Sequence, residues 1–439
     1  MEPKHIIALA FFMGAGFASV VLNLVSQRVR DISLFCMVFM AVMGGLLDVN
    51  FFGQLWYRGT SRGFEIMPID IAAFGLLAGS LALPRYPSWR WHWPASFGLL
   101  LLFFAYGCSS VLTTTPQIYG SWELWKIFRG IVVFLAAAVA IRTQRELMIF
   151  VLALACAVYF EGLWGAQQKI LKGIGRIPGT LFHENSLSMY LCTVSPVLLA
   201  AALSNWPRGM RYFCGFSCAV AAVTVVMTLS RAGIPAFGLM MFMTAFFCTT
   251  WRITRRKIVA GFGMMAGGAL LLAVAWEPLT QRFGAVSLKE ELFEADAVET
   301  RGTYWRIGFA IADEQPYGVG LNNWSYAVSK YYGQKLGYLY NDYDEITWDA
   351  SKGKDSDVNH APPGHSLAVI TWGELGTAGL IIFALLWLRW FQMGASFLFG
   401  RLNADPMHRV GIGLLFGSGG IFLQSLTEWT YRQTPIMMT

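Results

Sequence analysis

The chain has 439 residues, of which 56% are hydrophobic and 13% charged, and its mean hydropathy is +0.50. A soluble domain of this size cannot bury so much apolar surface, and the apolar residues come in long unbroken runs, so the composition defines a polytopic membrane protein. The net charge of +7 is scattered over short connectors and is not gathered with aromatics in one domain, so nucleic-acid binding does not explain it.

Runs near twenty residues long predict an all-α fold of about twelve transmembrane helices, at 6–24, 33–49, 69–84, 96–112, 124–141, 147–168, 186–203, 212–230, 234–250, 258–275, 366–388 and 410–430. No signal-peptide cleavage pattern follows the first run, which reads as a retained span. Tryptophans and tyrosines gather at run ends, as interfacial belts do. The seven cysteines lie in or beside apolar runs and form no Cys-x-x-Cys pair, so neither a disulfide scaffold nor a zinc site is indicated.

Basic connectors at 27–30, 85–90, 142–145, 208–211, 251–257 and 401–409 fall on one side, which the positive-inside rule assigns to the cytoplasm. Residues 276–364 hold 14 acidic and 8 basic side chains, a local balance of −6 that places this long loop outside the cytoplasm. The chain is then one membrane domain, 1–439, with the non-cytoplasmic loop 276–364 inserted between spans. It ends at Pro435–Thr439, apolar and abrupt, which leaves place for a further span.

Within the loop, Arg301, Trp305, Ile307, Phe309 and Ala310 suit a short amphipathic helix ended by Pro316. Gly318, Gly320, Asn322 and Asn323 suit a turn. The tyrosine-rich stretch 326–343 suits surface packing, or a platform under a sugar chain. His360-Ala-Pro-Pro-Gly364 then closes the loop, and the turn must end near His365 because neither the prolines nor Gly364 continue a helix. His365 is thereby expected in the first turn of the next helix, facing the loop at the water-accessible lip. There it either caps the helix end or, as a neutral imidazole, takes a proton.

Three arginines occupy costly positions: Arg129 inside an apolar span, Arg231 at the end of one, and Arg301 at the start of the loop helix. Such an arginine snorkels to the interface, pairs with a carboxylate, or binds an anion. Its planar guanidinium matches diphosphate oxygens two at a time, which a lysine cannot do. On the same outer face, Arg176, His183, Glu184 and Asn185 open the seventh span, either as caps and interface charge or as the lining of a site. His360 and His365 are five residues apart across two prolines, which does not suit a metal site.

Arg176–Tyr190, Thr228–Gly233, Arg301–Asn322 and His365–Gly376, in this order and on one side of the membrane, resemble the successive signatures of the O-antigen ligase/polymerase superfamily. The resemblance covers roughly residues 120–432. It implies a GT-C-like fold and transfer of a glycan from undecaprenyl diphosphate to an acceptor hydroxyl, without metal or other cofactor. It further implies that His365 is the essential histidine, that Arg231 and Arg301 are the essential arginines, and, more loosely, that Arg129 is a basic donor contact. Arg176, His183, Asn185 and His360 remain possible lining residues. The chain departs from the family at Ser366, where an asparagine is common, and in the acidic insert 341–359. The implied enzyme is a lipopolysaccharide O-antigen ligase of the bacterial inner membrane, acting at the periplasmic face on lipid A–core. A Wzy-type polymerase is the nearest alternative, and a lipid-linked-sugar transporter the alternative of another class.

Overall fold

A computed structural model of the chain describes residues 3–439 apart from 55, 83–92, 250–253, 256–257, 259–266, 270–272, 274–275, 285–300, 339, 341–347, 350–353, 356–359 and 399–403. The fold is almost wholly helical. The helices are α1 (Pro3–Val25), α2 (Gln27–Phe39), α3 (Gly44–Leu47), α4 (Pro68–Ala82), α5 (Phe97–Thr113), α6 (Gln117–Ala140), α7 (Gln144–Ile170), α8 (Glu184–Ala202), α9 (Arg208–Thr228) and α10 (Gly233–Cys248). After these come α11 (Trp276–Gly284), the loop helix α12 (Arg301–Glu314), α13 (Leu367–Ala395) and α14 (Pro406–Ser425). Among the described residues, five helices (α1, α7, α8, α9 and α13) are long and apolar enough to cross a membrane.

Helices stand over the expected spans with two differences. The span expected at 258–275 lies mostly outside the described residues. The one expected at 33–49 is broken after Phe39: the chain turns through Met40–Met43, where the Val42 carbonyl lies 2.7 Å from the Thr180 hydroxyl, and α3 starts at Gly44. A small antiparallel hairpin follows, β1 (Val49–Phe51) on β2 (Phe64–Ile66), with Asn50 opposite Glu65.

Inside a membrane the hydrophobic effect does not draw helices together, so small residues that allow close packing decide which helices meet. Helix α14 presents Gly413, Gly417 and Gly420 along one face towards α8. A Cβ at Gly413 would stand 2.6 Å from the Val197 Cα, and one at Gly417 would collide with the Thr193 carbonyl. Two backbones can pass this close only because those side chains are absent. The seam sets the start of α8 beside the segment that follows α14.

A second interlock ties the long loop to α13. Gly376 (φ 65°, ψ −172°) kinks that helix, and a Cβ there would collide with the Pro316 carbonyl. The kink frees carbonyls that the loop then uses: the Val319 N–H donates to the Gly373 carbonyl and the Gly320 N–H to the Glu374 carbonyl, both at 2.9 Å. The expected turn at Gly318–Asn323 therefore docks into α13. The tyrosine stretch packs inward as well, with Tyr332, Tyr338 and Tyr340 buried around Trp324.

The last ten residues fold back into the bundle. Arg432 lies buried between Glu374 (2.6 Å) and Glu123 (3.0 Å), and Lys126 approaches Glu123 at 2.7 Å. Burial alone would pull the Arg432 pKa down, but the two carboxylates outweigh it and hold it above the ordinary guanidinium value.

Candidate active site

Three chain segments converge on the carboxylate of Glu428, which is 4% exposed and follows α14. Its Oε2 lies 3.1 Å from His365 Nδ1, and its Oε1 lies 3.0 Å from Arg301 Nη2 and accepts from Asn185 Nδ2 at 2.8 Å. The α8–α14 glycine seam explains why Asn185, in the first turn of α8, reaches Glu428. The docking of the loop turn into α13 explains why α12 is held near His365. On α12, Arg301 and Tyr304 are three residues apart and share a face, and the buried Tyr304 ring lies 5.2 Å from the His365 ring.

His365 is not in the first turn of α13, as expected from sequence. Ser366, extended at φ −162° and ψ 126°, is the N-cap, so His365 lies just outside the helix. It is 31% exposed, which leaves the imidazole accessible from the loop side. A carboxylate only accepts hydrogen bonds, so Nδ1 carries the hydrogen and Nε2 keeps its lone pair. That is the arrangement of an oriented general base, with a carboxylate fixing tautomer and ring and stabilising the imidazolium once a proton arrives.

The arginines fall into different places. Arg301 belongs to the cluster and also donates from Nε to the Thr427 carbonyl at 3.2 Å. Arg231 is half-buried and follows Ser230, whose hydroxyl donates to Asn185 Oδ1 at 3.0 Å. Just before them Leu229 ends α9 in the left-handed conformation (φ 51°, ψ 34°), which turns the chain sharply towards Asn185. Arg129 lies elsewhere. Its guanidinium faces Asp70 and Glu65, each at 2.8 Å, and is buried among them. Its charge is met by protein carboxylates, as the carboxylate-paired alternative describes.

Arg176 pairs with Glu184 at 3.3 Å and donates to the Thr228 carbonyl, bracing the turn ahead of α8 against the end of α9. His183 caps α8: its Nδ1 accepts the Asn185 N–H at 3.1 Å, while nearly half of the side chain is exposed. His360 is buried 6.1 Å from the Trp56 ring, and its carbonyl accepts from Arg58; it does not join His365.

Sequence reasoning missed Glu428. It is a lone carboxylate at the end of an apolar run, and the rule applied to the arginines, that an ionisable group there needs a reason, would have found it.

Fold and site together define a helical membrane protein with a histidine, a carboxylate and arginines gathered on one face. Residues 216–384 match the family model Wzy_C, described as O-antigen ligase, a stretch that holds Arg231, Arg301 and His365. This match, over residues 216–384, supports the likeness to the O-antigen ligase/polymerase superfamily. The search of curated proteins finds no match.

Proposed function

We propose that the chain is a lipopolysaccharide O-antigen ligase, an inverting, metal-independent glycosyltransferase of GT-C type with about twelve spans and a periplasmic active site. The observation that carries this reading is the convergence of His365, Arg301 and Asn185 on Glu428. His365 Nε2 removes the proton of an acceptor sugar hydroxyl as its oxygen attacks the anomeric carbon of the lipid-linked glycan. A new C–O bond forms as the bond to undecaprenyl diphosphate breaks, and the electron pair leaves with the diphosphate. Arg301 and Arg231 meet that growing charge, and Glu428 stabilises the imidazolium. Diphosphate is a good leaving group, so no separate general acid is invoked. Arg129 is left out of the mechanism.

The acceptor is lipid A–core, with membrane lipids around the bundle and the bacterial inner membrane as the location. The test is transfer by purified protein given undecaprenyl-diphosphate O-antigen and lipid A–core, in chelator, beside His365→Ala. Glycan on lipid A–core, abolished by the substitution, is the expected outcome. Glycan that only lengthens on its own carrier would make the protein a polymerase, and movement of donor across the membrane without a new glycosidic bond would make it a transporter.

A further inference from the structure

Next to the His365 cluster lies a cleft of about 390 Å³ that the mechanism above does not use. It is walled by the β1–β2 hairpin, the start of α6, the turn at 181–183 and the segment 429–435. Its volume lies within the ~300–1,000 Å³ typical of small-molecule sites. Two half-buried tryptophans, Trp125 and Trp429, line it. The Trp125 indole donates to the Glu65 carbonyl at 2.7 Å, and Trp429 directly follows Glu428. The buried indole of Trp122 also contributes to the lining, and its N–H has no acceptor among the described residues.

The polar groups of the cleft divide into those already committed and those that remain. Glu65 accepts from Arg129 at 2.8 Å and from the Thr434 hydroxyl at 2.5 Å, and Lys126 is committed to Glu123. Asp48 accepts from the Asn50 amide at 2.7 Å and from its own backbone N–H, and its two oxygens keep further acceptor capacity; the half-buried amide of Gln433 lies across the cleft. Rigid aromatic faces beside a few convergent amide and carboxylate groups match a molecule with flat apolar faces and a rim of hydroxyls. Carboxylates (Asp48, Glu65) and cations (Arg62, Lys126) both line the cleft, so its charges select for no ligand of one sign. The cleft also touches the catalytic cluster at two points: His183, which lines it, accepts the Asn185 N–H, and Trp429 is the neighbour of Glu428.

We infer that this cleft, between the β1–β2 hairpin and the 429–435 segment, binds an uncharged pyranose of one of the two glycans and holds it against the His365 site. The inference rests on the glycosyl-transfer reading above. A sugar there comes either from the acceptor oligosaccharide or from the donor glycan, and its ring stacks on Trp125 or Trp429 while its hydroxyls donate to Asp48 and bond Asn50 and Gln433.

The experiment measures binding without chemistry, on full-length His365→Ala protein in detergent, by tryptophan fluorescence and saturation-transfer NMR. Two probes are used separately: lipid-free core oligosaccharide and the free O-antigen repeat oligosaccharide. Saturable binding of either one is expected, and the one that binds identifies the source. Trp125→Ala and Asp48→Asn should each weaken it at least about tenfold, as losing a stacking or hydrogen-bonding partner typically does. Trp125→Phe, which keeps a ring, should retain most of it, guarding against a folding artefact. Failure of both probes to bind, or binding indifferent to Trp125→Ala and Asp48→Asn, overturns the inference. If the sugar binds as expected but His365→Ala still transfers glycan, the catalytic reading falls and the cleft stands.

Discussion

Glu428→Gln is the sharpest test of the site. The glutamine keeps the shape, and its carbonyl can still accept from Asn185 and Arg301. Its amide group then faces His365 Nδ1, so the favoured tautomer places the hydrogen on Nε2 and removes the base's lone pair. The charge that steadies the imidazolium is lost as well. At the observed 3.1 Å, a carboxylate and an imidazolium attract by about 5 kcal/mol at an effective dielectric constant of about 20. Arg301, 3.0 Å from the other carboxylate oxygen, offsets part of this, leaving about 3–4 kcal/mol, or about 10²–10³-fold in rate. The expected result is a fall of that size in kcat with little change in donor KM, measured as glycan transferred by purified protein at equal folded concentration. Near-parental kcat would refute the assignment of Glu428. A fall matched by an equal loss of melting temperature would assign the residue to folding.

Arg129→Leu leaves Asp70 and Glu65 without their shared cation; breaking such a buried pair costs roughly 3–5 kcal/mol. The melting temperature in detergent should drop while the folded fraction keeps its transfer rate, and activity lost without destabilisation would return Arg129 to the donor site. Gly417→Leu forces α14 from α8 and should pull Glu428 from Asn185. A loss of transfer is expected even in preparations that remain monodisperse by size-exclusion chromatography, and full activity there would show that the seam does not set the site. Arg432→Met strips Glu374 of its cation and leaves Glu123 with Lys126 alone, so thermal stability should fall. An unchanged melting curve would show that the C-terminal segment does not brace the bundle.

The helical membrane character was legible because apolar runs of membrane length leave no soluble alternative. The break after Phe39 was less so: the turn there meets the Thr180 hydroxyl, 138 residues away, at the Val42 carbonyl, a contact of tertiary packing. The glycines at 318 and 320 were visible as turn signals, whereas Gly376 lay inside an expected span. Their partnership was not visible: that two glycine-bearing segments lock into each other through paired backbone hydrogen bonds is a fact of tertiary packing, and neither segment encodes it alone.

The site divides along the same line. His365, Arg231 and Arg301 each stood out by a local rule, an ionisable side chain where the membrane makes charge costly. The same rule also selected Arg129, whose carboxylates, Glu65 on β2 and Asp70 on α4, lie 64 and 59 residues away in sequence. Cost marks a charge that needs a partner; it does not distinguish a substrate anion from a protein carboxylate. Arg301 too meets a carboxylate, but that carboxylate is shared with an accessible imidazole, whereas Arg129 shares its two half-buried carboxylates with no imidazole. On the proposed mechanism, what would separate a catalytic arginine from a structural one is therefore the second neighbour of its partner, a relation that exists only after tertiary packing has brought the segments together.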